Sequence, residues 1–128
     1  MKAQLKQALK GAIRYSLATG GRTQVGRYVF KQILDTSMEE VRELVHEGVQ
    51  LRFATPNALC DWRAQTFSTK EPETLAWIDA IPEGAVVWDV GANIGLYAVY
   101  AAARRKCRVW AFEPSVFNLE LLARNVHL

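Results

Sequence analysis

The chain has 128 residues, half of them hydrophobic and 23% charged, a globular composition that leaves room for one domain at most. No apolar run reaches the roughly 20 residues that cross a bilayer, and the opening Met1-Lys-Ala-Gln-Leu-Lys lacks the continuous apolar core of a secretory signal. Cys60 and Cys107 have no metal-ligand spacing and no disulfide-rich pattern. They read as free thiols in a reducing, cytoplasmic compartment.

The net charge of +3 is unevenly spread. Lys2, Lys6, Lys10, Arg14, Arg22, Arg27 and Lys31 give residues 1–34 a charge of +7 with no acid, and the rest of the chain carries −4. Leu5, Leu9, Ile13 and Leu17 recur every four residues, as do Lys2, Lys6, Lys10 and Arg14. This spacing predicts an amphipathic helix over 2–18 with one apolar and one cationic stripe. Gly20-Gly21 ends it, and a second helix is expected over 22–34. The segment reads either as a helical cap on the domain or as a contact for an anionic membrane surface or an acidic partner. A mitochondrial transit peptide is a third reading. Nucleic acid is not expected as a partner, because the cations come with few aromatics and no recognition motif.

Ser37-Met-Glu-Glu40 has the form of a capping box and predicts a helix over 38–47, with Val41, Leu44 and Val45 inward and Gly48 as its C-cap. Val49 to Ala54 alternates as a half-exposed strand. Residues 58–68 lean to helix, anchored by Leu59, Trp62 and Phe67. Ser68-Thr-Lys-Glu-Pro72 opens a further helix over about 72–80 with Leu75, Trp77, Ile78 and Ile81 as apolar residues.

The chain is organised around Val86-Val-Trp-Asp-Val-Gly-Ala-Asn-Ile-Gly95. A strand over 86–90, apolar on both faces, is expected to be central in a parallel sheet. A glycine turn and a helix over 95–105 follow. Arg108 to Glu113 is the second parallel strand, and a helix over 116–126 presents Phe117, Leu121, Leu122 and Val126. Parallel α/β sheets bind ligands beyond the carboxyl ends of their strands. Asp89, Gly91, Asn93 and Gly95 sit at the end of the first strand and Glu113 at the end of the second. The glycines permit a sharp turn and close approach of a ligand to the backbone, and Glu113 can accept both hydrogen bonds of a ribose diol. A dinucleotide fingerprint would need glycine where Asn93 and Leu96 stand, and no phosphate loop is present. A ligand with a ribose, no phosphate and a cationic end fits better, as S-adenosyl-L-methionine does.

Asp89-Val-Gly-Ala-Asn-Ile-Gly-Leu-Tyr97, Ala111-Phe-Glu-Pro-Ser115, Asn118 and Asn125, with the lead-in Phe67-Ser-Thr-Lys-Glu-Pro-Glu-Thr-Leu75, closely resemble the FkbM-type methyltransferase family over about residues 65–128. The resemblance implies an α/β, class I (Rossmann-like) methyltransferase fold that binds S-adenosyl-L-methionine. By it, the turn Gly91, Ala92, Asn93 to Gly95 meets the methionine and ribose portions. Asp89 lies behind or beside the amino group, Glu113 takes the ribose hydroxyls, and Pro114 and Ser115 border the adenine. Glu71 helps close the site, or is only an acid at a helix start. The acceptor implied is an oxygen on a sugar, polyketide or other small polar molecule. No catalytic residue can be named. Two of the seven strands of such a sheet are present, so the chain reads as a basic helical segment, 1–48, before an incomplete cofactor-binding domain, 49–128. Such a piece is expected to aggregate or to bind its cofactor weakly by itself. The alternative is a truncated or non-catalytic interaction module working through the basic N-terminus.

Overall fold

A computed structural model describes residues 2–128, which fall into two compact units, one ending at Met38 and one spanning Glu39–Leu128. The first unit holds α1 (Lys2–Gly20) and nearly all of α2 (Gln24–Glu39). The Thr23 hydroxyl accepts the Gly26 N–H at 2.9 Å and so caps α2. The Arg27 guanidinium reaches back to the carbonyls of Gly21 and Arg22, where α1 has ended. No residue of either helix is buried.

The helix expected over 38–47 is not formed. Helix α2 runs on to Glu39, and β1 (Val41–His46) then pairs antiparallel with β2 (Val49–Ala54), from Val41 opposite Ala54 to His46 opposite Val49. Glu47 and Gly48 have φ of 46° and 75°, the positive pair that a two-residue hairpin turn requires. Gly48, read from sequence as a helix C-cap, is therefore a turn residue. The same stretch alternates with a period of two: Leu44 and His46 face inward while Glu43 and Val45 face water. Packing of the hairpin's Leu51 and Phe53 into the core outweighs the local capping signal. Residues 41–46, grouped by sequence with the basic segment, pair with residues 49–54 inside the Glu39–Leu128 unit.

Downstream the elements fall where patterning places them: α3 (Ala58–Gln65), α4 (Phe67–Lys70), α5 (Pro72–Ala80), β3 (Val86–Val90), α6 (Leu96–Arg105), β4 (Arg108–Phe112) and α7 (Val116–Val126). Strands β3 and β4 are parallel, with Val86 opposite Arg108 and Val90 opposite Phe112. Helix α6 links the two small sheets. Its Tyr100 and Ala101 join Leu51 and Phe53 of the hairpin, Phe67, Leu75 and Ile78 in one core, on which Val87 and Val109 pack. The second unit is a mixed α/β structure.

Strand β3 is covered on one face only, the open apolar face left by two strands of a sheet suited to burial on both, while the helix faces read from sequence need correction. Val86, Trp88, Val90, Trp110 and Phe112 lie on the other face and are exposed among the described residues. In α7 the buried residues are Leu121, Leu122 and Asn125, whereas Phe117 and Val126 face outward. In α3 Cys60 and Ala64 point inward, and Leu59 and Trp62 do not. Trp77 of α5 is likewise exposed.

The core closes on a polar lock. The Tyr100 ring is fully buried, and its hydroxyl donates to Asp79 at 2.8 Å. Arg104 donates to the same carboxylate oxygen at 3.0 Å. Burial opposes ionisation of Asp79, but the Tyr100 hydroxyl and the Arg104 guanidinium outweigh it and hold the carboxyl below its usual range. Burial and the Asp79 charge push the Tyr100 phenol up to about 12. Tyr100→Phe is expected to cost about 1.5 kcal/mol of stability at neutral pH, the size of a hydrogen bond to a charged group. The folded pKa of Asp79 lies below its unfolded value. Its contribution is therefore present above the unfolded pKa and disappears as pH falls through the folded one. Urea melts of both proteins should differ at pH 7 and converge in acid.

Candidate functional site

The turn from β3 into α6 is pinned to the end of β4. The N–H groups of Gly91 and Ala92 both donate to the Phe112 carbonyl, at 2.8 and 3.0 Å, and the Gly95 N–H returns to the Ala92 carbonyl at 2.8 Å. Gly91 and Gly95 have φ of 85° and 83°. Asn93 also has positive φ, 55°, a region that asparagine tolerates better than most residues. The space around the two glycines separates their roles. A Cβ on Gly91 would meet nothing within 4 Å, so that side of the turn is open. A Cβ on Gly95 would come within 3.1 Å of Leu122 Cγ, so Gly95 admits close packing of α7 rather than approach of a ligand.

Glu113, immediately after β4, is engaged with backbone. Its carboxylate accepts the Asn93 N–H at 2.8 Å on one oxygen and the Ser115 N–H at 2.7 Å on the other. The Ser115 N–H is the largest influence on the carboxyl and the Asn93 N–H adds to it. Together they hold Glu113 below the usual range against the cost of burial. Ser115 in turn caps α7, its hydroxyl accepting from the Asn118 N–H. Glu113 thus braces the two strand ends, and the Asn118 side chain adds a further hydrogen bond to its carboxylate.

Beyond the strand ends lies a cavity of about 250 Å³. Of the residues singled out by sequence, Glu71, Asp89, Gly91, Ala92 and Asn93 line it. Gly95, Glu113, Pro114 and Ser115 do not, although Glu113 holds the backbone of one residue that does. Sequence reading missed Arg63, Phe67 and Lys70 as wall residues, and also Ile94, Leu96 and Tyr97. Glu71 stands at the joint between α4 and α5. It pairs with Lys70 at 3.1 Å and faces the Tyr97 hydroxyl, where burial first and the Glu71 charge second raise the phenol to about 12.

Two residues of the cavity wall carry unmet acceptors. Asp89 Oδ2 and Asn93 Oδ1 are buried and have no hydrogen-bond partner. Buried polar atoms are rarely left so, and each costs free energy until a donor arrives. Burial also pushes the Asp89 carboxyl above its ordinary range, an effect that the backbone N–H of Ala98 offsets in part. Two orphaned acceptors, one a carboxylate in a desolvated place, suit a hydrogen-bond donor, and a cationic donor most. A protonated amine is such a group, and a phosphate is not. A larger groove of about 640 Å³ beside the hairpin lacks such features, and the polar atoms of Asn125 that border it are satisfied.

Asn125 had a place in the sequence motif but no assigned role. It is 2% exposed. Its Oδ1 accepts the Ala54 N–H at 2.7 Å and its Nδ2 donates to the Ile94 carbonyl at 2.6 Å. One side chain from α7 thereby fastens the end of the hairpin to the turn. The available signal was its position on the helix, one turn after Leu121-Leu122 on the buried face.

No family model matches the chain. Over 78 residues it is 30% identical to the hexuronic acid methyltransferase AglP of Haloferax volcanii, an alignment that covers 61% of this chain and 32% of that protein. Over 35 residues it is 60% identical to the AMB antimetabolite synthetase AmbE of Pseudomonas aeruginosa, covering 27% of this chain and 2% of that protein. The chain therefore spans about a third of the first relative and a very small part of the second. Its similarity is to part of a methyltransferase.

Proposed function

We propose that the cavity at the β3–α6 turn binds S-adenosyl-L-methionine, and that the chain carries the cofactor-binding elements of an FkbM-type methyltransferase with a class I, Rossmann-like fold. The observation that carries this reading is the pair of orphaned acceptors, Asp89 Oδ2 and Asn93 Oδ1, at the carboxyl end of a parallel strand. The cofactor's ammonium supplies donors for them, and Asp89 balances its charge. Gly91 leaves the backbone open to the ligand, and Glu113, which braces Asn93 beside the cavity, is assigned to the ribose hydroxyls. The absence of Gly-x-Gly-x-x-Gly at this turn favours a ligand without a pyrophosphate.

When bound, the cofactor supplies a methyl group activated by a positive sulfur. The residues of this chain bind and orient it, and alignment is the main requirement of a displacement at carbon. The partial likeness to a hexuronic acid methyltransferase supports an oxygen of a sugar-type acceptor over the other small polar acceptors that the family resemblance allows.

Glu113→Gln tests the ribose assignment. The amide keeps one acceptor and the size of the side chain, but loses the charge and the acceptor for one of the two backbone N–H groups. Affinity for S-adenosylhomocysteine, followed by calorimetry or a competition assay, is expected to fall about tenfold. An unchanged affinity would remove Glu113 from the ligand and leave it only its bracing role.

A further inference from the structure

We infer that α1 is a surface-binding helix that lies along an anionic lipid bilayer with Leu5, Leu9, Ile13 and Leu17 inserted. This inference stands apart from the cofactor assignment and rests on different residues. Every residue of α1 from Lys2 to Thr19 is exposed, and the four stripe residues are between 36% and 71% exposed. A nineteen-residue helix with a continuous apolar stripe and no buried residue has an unpartnered face.

Charge selects the partner. Lys6, Lys10 and Arg14 each follow a stripe residue, so the cationic row runs about 100° around the helix from the apolar one. From that flank, long basic side chains reach the headgroup level while their methylenes stay against the apolar stripe. Among the described residues Lys2, Lys6, Lys10 and Arg14 form no ion pair, and the first acid of the chain is Asp35. Helix α2 extends the pattern, with Val25, Val29, Ile33 and Leu34 exposed beside Lys31. A polyanion such as nucleic acid would use the cations and leave both stripes in water. A bilayer with acidic headgroups uses both. No helix among the described residues is long and apolar enough to cross a membrane, so the binding mode is flat on the surface.

The test is flotation of the full 128-residue chain with phosphatidylcholine vesicles made with and without phosphatidylglycerol. Binding is expected only with the anionic lipid. Lys6→Glu with Lys10→Glu should weaken it at least tenfold. Leu9→Gln with Ile13→Gln keeps every cation and should weaken it by a similar factor, with circular dichroism confirming that the chain is still folded. Three results would overturn the inference: no flotation of a folded chain with anionic vesicles, equal flotation with neutral ones, or binding that ignores the glutamine pair. The last result, with binding abolished by salt, would instead assign the helix to an acidic macromolecule read by charge alone.

Discussion

Asn125→Ala is expected to destabilise the Glu39–Leu128 unit by about 3 kcal/mol. The substitution orphans the Ala54 N–H and the Ile94 carbonyl together, and each buried group left without a partner costs about 1–3 kcal/mol. Neither is placed to find a replacement within the backbone. Ala54 closes the hairpin ladder, and in the turn that holds Ile94 the N–H groups of Gly91, Ala92 and Gly95 are committed to the Phe112 and Ala92 carbonyls and that of Asn93 to the Glu113 carboxylate. Ile94 is nearly fully buried, so water cannot serve it without opening the packing around Leu121. Urea denaturation should show a lower midpoint with an unchanged slope, as expected when the native state alone is weakened. A loss below about 0.5 kcal/mol, the range of an ordinary surface change, would show that Asn125 does not fasten the turn.

Asp89→Asn should move stability and ligand binding in opposite directions. Burial raises the Asp89 carboxyl above its ordinary range, so ionisation costs the ligand-free fold some stability at neutral pH. A group with a raised folded pKa contributes fully below its unfolded pKa, and the contribution is lost as pH rises through the folded value. The neutral amide escapes that loss. The variant is expected to melt at a higher temperature than the wild type at pH 7, with the gap narrowing in acid. Affinity for S-adenosylhomocysteine should nevertheless fall by about 30- to 100-fold, because a charge-assisted hydrogen bond to the ammonium disappears. In the wild type, affinity should decline as pH drops through the Asp89 pKa. A purely structural aspartate would lower both quantities together, so equal losses of stability and binding would count against the site.

The second unit was legible in the sequence where local chemistry and tertiary packing agree. The β3 strand, its glycine turn, α6, β4 and α7 fall within a residue or two of their expected bounds. Each has apolar patterning of its own length, with punctuation at Gly84, Gly91, Gly95 and Pro114. The helix expected at 38–47 failed because Ser37 and Glu40 satisfy a capping rule while Glu47-Gly48 satisfies a hairpin rule. Only the pairing of Val41–His46 with Val49–Ala54, a contact beyond any local window, decides between them. At the site, a carboxylate and glycines at strand ends are visible in one dimension. Arg63 and Phe67 reach the cavity from α3 and α4, whose positions depend on the core. The bracing role of Glu113 was hidden for the same reason: its bond from Ser115 is local, but Asn93 reaches it only when β3 and β4 lie side by side.

The proposed ligand of the cavity beside Asp89 and Asn93 is a ribose-bearing ammonium without a phosphate. Saturation-transfer NMR on the full chain tests this assignment most directly, because the method detects weak binding, with S-adenosylhomocysteine and NAD offered separately at equal concentration. Transfer is expected to the ribose and amino-acid protons of S-adenosylhomocysteine, with that transfer lost in Asp89→Asn, and none to NAD. Absence of transfer from a folded wild-type chain, or equal transfer to both ligands, would contradict the assignment.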